Sequence, residues 1–309
     1  MNIYSWQWNQ VGMPFGHKKF EQKMNEHSIY KTKIMSKTIL ITGSSSGIGK
    51  CVATYFQKKG WNVAATMRNP DKEEELTKLK NVKCIALDVT ESHSIRRAIS
   101  QTILAFGGID VVVNNAGYGA VGIFEKATSK QIQHQFDVNV FGVMNVIREV
   151  LPHFREKKDG TIINITSMGG LITFPIYSVY HGTKWAMEGF AESLHYELRP
   201  FNLKVKNVEP GAIKTDFYDR SQQLFVNENV KGYDSYEQAT FKATQQAGAA
   251  APGPQIVAKT VYKAATSRSF KLRYPVSAQT KTLLFLRRWL PQRMFFGMVR
   301  MVVEKGYKP

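Results

Sequence analysis

The sequence predicts an α/β fold: one domain built on a doubly wound parallel sheet flanked by helices. Three observations carry that expectation. Short β-branched runs alternate with helical stretches of about a dozen residues, the pattern of strands joined by helical crossovers. Runs such as Val111-Val112-Val113 are apolar throughout, as strands covered on both faces must be. A glycine-rich turn follows the first run and opens the first helix, so a crevice is expected beyond the carboxyl ends of the strands.

Taken in order, Thr38-Ile39-Leu40-Ile41 reads as a buried strand. A helix over 47–59 has Ile48, Val52, Tyr55 and Phe56 on one face, and Gly60 stops it. A strand at 63–66, a charged helix at 72–79 and a strand at 83–87 follow. A helix over 94–106 has Ser92 or Ser94 as candidate cap. Next come a strand at 109–113, a long helical stretch over 129–151, and a strand at 161–165. A helix near 179–198 and a strand near 203–208 complete the regular pattern. Residues 212–255 are polar, with an Ala/Gly/Pro cluster at 248–254, and suggest a flap or insertion on the substrate side. Helix returns at 256–266, and 271–276 suits a last strand. The tail, 268–309, is aromatic and basic.

The 309 residues, 43% of them hydrophobic, suffice for a substantial core. Residues 1–34 are polar and mixed, without the apolar region of a signal peptide. They read as a loose extension to a domain spanning 35–309, or as text preceding a native start at Met35. Cys51 and Cys84 form neither a disulfide framework nor a metal-ligand spacing, and the histidines are scattered, so no metal is expected. This usage fits a reducing, cytoplasmic setting. No apolar run reaches the roughly 18 residues a membrane span needs. Lys and Arg number 42 against 24 Asp and Glu, a net charge of +18 that draws anions without choosing among them.

Thr42-Gly43-Ser44-Ser45-Ser46-Gly47-Ile48-Gly49 lies between the first strand and the first helix. Gly43 permits a tight turn, Gly47 lets backbone approach a pyrophosphate, and Gly49 allows helix to pack closely on sheet. The helix start then offers free N–H groups and a positive dipole end to phosphate. Tyr180 and Lys184 are four apart, so on a helix they share a face. A free tyrosine has a pKa near 10, and a neighbouring ammonium favours its phenolate and brings it toward working range.

The glycine spacing, then Asn114-Asn115-Ala116-Gly117, then Tyr180-x-x-x-Lys184, resembles the short-chain dehydrogenase/reductase family, closely over about 36–215 and more loosely through Arg273-Tyr274-Pro275-Val276. The tail is similar to the branch holding 17β-hydroxysteroid and retinol dehydrogenases. The resemblance implies a Rossmann-type fold and a nicotinamide dinucleotide cofactor. An NAD enzyme of this fold usually carries an acid after the second strand. Here the stretch reads Ala64-Ala65-Thr66-Met67-Arg68, and Arg68 offers a fork of donors to a 2′-phosphate, so NADP(H) is expected. Through the resemblance, Ser45 and Ile48 join the phosphate loop, and Asp88 with Val89 contacts adenine. The turn Asn115, Ala116 and Gly117 lines the adenosine ribose. Pro210, Gly211, Ile213 and Thr215 lie over the nicotinamide.

The resemblance also implies a catalytic set. Tyr180 is the acid/base, and Lys184 tunes it and bonds the nicotinamide ribose. Ser167 holds the substrate oxygen, and Asn139 holds a water that passes protons from the lysine to bulk. His181 has no direct role. The expected activity interconverts an alcohol and a ketone or aldehyde of an apolar small-molecule substrate. Two rivals are reduction of an acyl-carrier ketone and a non-catalytic NADP-binding protein. No nucleic-acid motif appears. A homo-oligomer is expected, since the family often pairs through the helices holding Asn139 and Tyr180. From Arg268 onward ten Lys/Arg face one acid, Glu304, among interleaved aromatics. Such a tail suits peripheral contact with an anionic membrane, or a helix covering the pocket or a subunit interface.

Overall fold

The computed structural model describes residues 36–215, 222–305 and 307. The expectations for residues 1–34 therefore lie outside the described residues. Seven parallel strands form the main sheet in the order β3-β2-β1-β4-β6-β7-β9. They are β1 (Thr38–Ile41), β2 (Asn62–Met67), β3 (Val82–Ala86), β4 (Val111–Asn114), β6 (Gly160–Ile165), β7 (Leu203–Glu209) and β9 (Arg273–Pro275). The order reverses between β1 and β4, and a ligand crevice belongs at such a switch point. Both faces are covered. One layer holds α2 (Ser92–Phe106), α4 (Gly142–Lys157) and α5 (Ser178–Leu198); the other holds α1 (Gly47–Lys58) and α7 (Gln255–Thr266). Ile39, Leu40 and Ile41 of β1 are wholly buried, each worth about 1.5–3 kcal/mol relative to exposure.

Several elements depart from the sequence pattern. The charged segment 72–79 is not a helix but two 3₁₀ turns, Pro70–Lys72 and Leu76–Lys78. The buried Glu73 carboxylate accepts from the N–H groups of Glu75 and Leu76, both at 3.0 Å, which diverts the donors a helix would use. Neither serine caps α2: its N-cap is Glu91, and Ser94 Oγ instead accepts from Asp88 N. The stretch 129–151 is split into α3 (Ser129–Phe136) and α4 by a π-helical turn, Asp137–Phe141. The segment 212–255 contains α6 (Asp234–Ala249) and β8 (Gln222–Leu224), which pairs in parallel with β5 (Gly119–Val121). The basic tail folds into α8 (Ala278–Trp289) and α9 (Gln292–Val303).

A row of polar side chains crosses the sheet beneath α5. Asn114 Nδ2 donates to Asn164 Oδ1 (2.9 Å), and Asn164 Nδ2 donates to Asn207 Oδ1 (3.1 Å). Asn207 Nδ2 and Arg273 Nε both donate to Glu188 Oε2, at 2.9 and 3.1 Å. These asparagines and Arg273 are also register partners across β4, β6, β7 and β9. Glu209 lies at the end of the row, wholly buried, and its carboxyl oxygens have no hydrogen-bond partner among the described residues. Burial first, then the neighbouring Glu188 charge, pushes its pKa up to about 8 against the pull of Arg273 and Lys271.

Candidate active site

The switch point opens into one cavity of about 1240 Å³. At its base, the glycine loop is held by the turn after β4. Asn115 Nδ2 donates to the carbonyls of Thr42 (2.9 Å) and Gly43 (2.8 Å), and Thr42 Oγ1 accepts from the N–H groups of Asn115 and Ala116 at 3.0 Å. Gly43 has φ +68°, and a Cβ there would meet Ala116 Cα at 2.9 Å. A Cβ on Gly49 would run into the Gly43 carbonyl and the Asn115 amide. Both glycines are thus required by the same clamp. The start of α1 is open: Ser46 makes no side-chain cap, and the first turn carries no acid. Its exposed donors and the left-handed Gly47 form a cradle that fits a phosphate group. Arg68 is exposed at the end of β2, on the same cavity.

The structure brings most of the expected residues onto this one wall. Gly43, Ser45, Gly47, Ile48, Arg68, Asp88, Val89, Asn115, Ala116 and Gly117 line the cavity at one end. Ser167, Tyr180, Lys184, Pro210, Gly211, Ile213 and Thr215 line it farther along. Gly49 and Asn139 are buried and do not line it. Asn139 is buried in the π-helical turn, where its Nδ2 donates to Tyr118 O (2.8 Å) and Thr183 Oγ1 (3.2 Å). Its Oδ1 accepts from Tyr118 N at 3.1 Å, so both ends of the amide fix the chain that leaves the cavity wall.

Tyr180 and Lys184 share one face of α5, with the Lys184 ammonium 5.7 Å from the Tyr180 ring centre. Lys184 Nζ donates to Ile165 O at 3.0 Å. Burial pulls its pKa down to about 8, while the Glu188 carboxylate pulls the other way. Ser167 lies two residues past the end of β6, at the start of a 3₁₀ turn, Met168–Gly170; its Oγ accepts from Gly169 N at 3.0 Å. His181 staples this loop: its Nδ1 lies 2.9 Å from Gly169 O, and its Nε2 accepts from Phe174 N at 3.1 Å. Burial holds its pKa down, at about 4, so the ring stays neutral with Nδ1–H donating to Gly169 O.

The rest of the lining holds residues the sequence did not single out, although a tail helix covering the pocket was one of its alternatives. Phe174, Tyr177, Tyr118 and His134 also line the cavity, with the Tyr177 ring centre 6.0 Å from that of Tyr180, and α8 and α9 contribute Leu283, Met298 and Val299. Tyr177 was legible as the residue one turn before Tyr180. The α9 residues carried only a general apolar pattern, which does not say what the helix covers. Among the described residues, no cluster of His, Cys, Asp and Glu is suited to hold a metal ion. No helix among them is long and apolar enough to cross a membrane.

Comparisons with known proteins agree with this geometry. Residues 37–224 match the short chain dehydrogenase family. An uncharacterised oxidoreductase of Bacillus subtilis is 36% identical over 265 residues, 82% of this chain and 94% of its own. A 3-ketodihydrosphingosine reductase of Bacteroides thetaiotaomicron is 40% identical over 199 residues, 64% of this chain and 72% of its own. A solved short-chain dehydrogenase from Streptomyces avermitilis is 28% identical with a TM-score of 0.74, covering 86% of this chain and 99% of that one. The structure of ElxO with NADP bound is 27% identical with a TM-score of 0.68, covering 80% and 100%. With its sheet order, its glycine loop clamped by Asn115, and Tyr180 and Lys184 on one helix face, the chain belongs to the short-chain dehydrogenase/reductase family of oxidoreductases.

Proposed function

We propose that the protein is an NADP(H)-dependent oxidoreductase that interconverts an alcohol with a ketone or aldehyde on an apolar substrate, with Tyr180 as acid/base. The observation that carries this is the single cavity: it runs from the phosphate-fitting glycine loop, past Tyr180, to a wall of Leu283, Met298 and Val299. The nicotinamide, when bound, supplies or accepts the hydride. The glycine loop and the α1 N-terminus would hold its pyrophosphate, with Arg68 on a 2′-phosphate. Asp88, Val89 and the Asn115–Gly117 turn would line the adenosine, and Pro210, Gly211, Ile213 and Thr215 the nicotinamide. The ElxO structure with NADP bound supports this cofactor class.

Within that frame, Tyr180 gives a proton to the carbonyl oxygen in reduction and takes it back in oxidation. Ser167 Oγ holds the same oxygen as charge develops on it. The Lys184 ammonium favours the Tyr180 phenolate and bonds the nicotinamide ribose. A π-helical turn displaces carbonyls from the regular helix ladder, which supports Asn139 as the place where a water would take the proton onward. The relative that reduces 3-ketodihydrosphingosine supports a lipid-like ketone over an acyl-carrier ketone. Copies would pair through α4 and α5, and on α5 Trp185 and Tyr196 leave apolar surface exposed.

The test is consumption of NADPH and NADH over a panel of ketones and aldehydes graded by size, with Tyr180→Phe alongside. NADPH-dependent turnover that falls roughly 10²–10⁴-fold in the variant, with NADPH binding retained, is the expected result. Binding of NADPH without turnover of any carbonyl would favour a cofactor-binding protein. A clear preference for NADH would remove Arg68 from its assigned role.

A further inference from the structure

Six large apolar side chains stand exposed on the last two helices: Phe285, Trp289, Met294, Phe296, Met301 and Val302. Phe285 and Trp289 are one turn apart on α8, with ring centres 6.1 Å from each other. On α9, Met294 and Met301 are seven residues apart and share a face, as do Arg293 and Arg300. The two helices are knitted together, since the Arg287 guanidinium lies over the rings of Phe295 and Phe296 at 5.5 and 5.8 Å. Between Ala278 and Lys305 the chain has six cations (Lys281, Arg287, Arg288, Arg293, Arg300 and Lys305) and one acid, Glu304.

A helix facing water is apolar on one side and polar on the other. α9 breaks that rule. Buried Phe295 and the cavity-lining Val299 lie on one side of it, and an adjoining stripe of Met294, Met298 and Met301, spaced four and three apart, is exposed at Met294 and Met301 and lines the cavity at Met298. Val302 belongs to both surfaces: it lines the cavity and is 66% exposed. The cavity lining and an exposed surface that is apolar, aromatic and cationic therefore adjoin along α9. Apolar side chains ringed by arginine are complementary to the boundary between acyl chains and anionic headgroups.

We propose that the α8–α9 face docks on an anionic lipid bilayer and that the cavity opens toward the lipid at Val302, so that substrate enters from the membrane. The docking half stands on the surface alone; the entry half rests on the apolar-substrate reading given above. Aromatic residues enter the interface, cations hold headgroups, and α9 borders both the bilayer and the cavity.

Flotation of the full chain with vesicles of phosphatidylcholine, alone or mixed with phosphatidylserine, tests the docking without requiring turnover. Flotation with the mixed vesicles, weakened by added salt and weak on phosphatidylcholine alone, is the expected result. The double variant Phe285→Ser with Trp289→Ser should lose it, and Arg288→Glu with Arg293→Glu should weaken it roughly tenfold or more. Circular dichroism and NADPH binding report in the same samples that the variants are folded. Absence of flotation by the folded wild-type chain overturns the proposal, as does flotation undiminished by both double variants. If the wild type sediments as a dimer that Phe285→Ser with Trp289→Ser splits, and does not float, the face is an interface between copies instead. Flotation without turnover of any carbonyl leaves the docking intact and removes only the entry half with the activity on which it rests.

Discussion

His181 shows how a side chain beside the reacting group can matter without reacting. Only the neutral ring satisfies both of its partners, because protonated Nε2 would face the Phe174 N–H. The unfolded chain takes up this proton near pH 6.5 and the folded chain only near 4. Between those values the unfolded state binds more protons, so stability falls as pH drops from 6.5 toward 4, by up to about 1.4 kcal/mol per pH unit. Denaturant unfolding across this range should show that slope, and His181→Gln should flatten it. Glu209 behaves oppositely. Its folded pKa of about 8 lies above the usual carboxylate value, so its proton stabilises the folded chain below about 4.5. That contribution is lost as pH rises toward 8. Glu209→Gln, which keeps the neutral shape, should gain stability over wild type as pH increases through this window. Neither behaviour was legible in the sequence. Tyr180 and Lys184 could be paired because helical spacing puts them together, but Gly169 and Phe174 reach His181 through an irregular loop. Glu209 meets Glu188 and Arg273 only once three separate elements have packed.

At the scale of elements, what the sequence revealed was periodicity and punctuation. The strands of the main sheet and helices α1, α5 and α7 emerged within a residue or two of the expected places because apolar runs and flanking glycines mark them. Segment 72–79 misled because Glu73 satisfies backbone donors with its own carboxylate, a local competition that charge pattern does not show. β5 and β8 were missed because each has three residues and needs the other, about a hundred positions away. The π-helical turn was hidden inside a continuous helical pattern. Glycine gives a direct test of these distinctions. Gly49→Ala drives a Cβ into the Gly43 carbonyl and the Asn115 amide, so it should cost about 1–3 kcal/mol and weaken NADPH binding, measured by unfolding and by fluorescence titration. Gly189 lies within α5 with nothing near its missing Cβ. Gly189→Ala should instead raise stability by about 0.4–1 kcal/mol.

For the molecule as a whole, the cavity joins parts distant in sequence, from Gly43 to Val303. The proposed function assigns to substrate the part lined by α8 and α9, so on that reading substrate choice should change there with the cofactor end untouched. Val299→Trp should raise KM for the bulkiest carbonyls of the panel at least roughly tenfold, leave small ones nearly unchanged, and keep the affinity for NADPH. Equal effects on all substrates would show that this wall does not select by size. The row of amides beneath α5 has a different kind of consequence. Asn114, Asn164 and Asn207 meet only when β4, β6 and β7 are aligned in one register. A slip of one residue in either pairing would turn an amide to the opposite face and strand its buried neighbour. The row thus acts as an alignment key, read out at the same strand ends that carry Ser167 and Pro210 into the crevice. A sheet assembled out of step would forfeit this key and its binding groove together, so such errors would be cleared as unstable chains before they could persist as inactive ones.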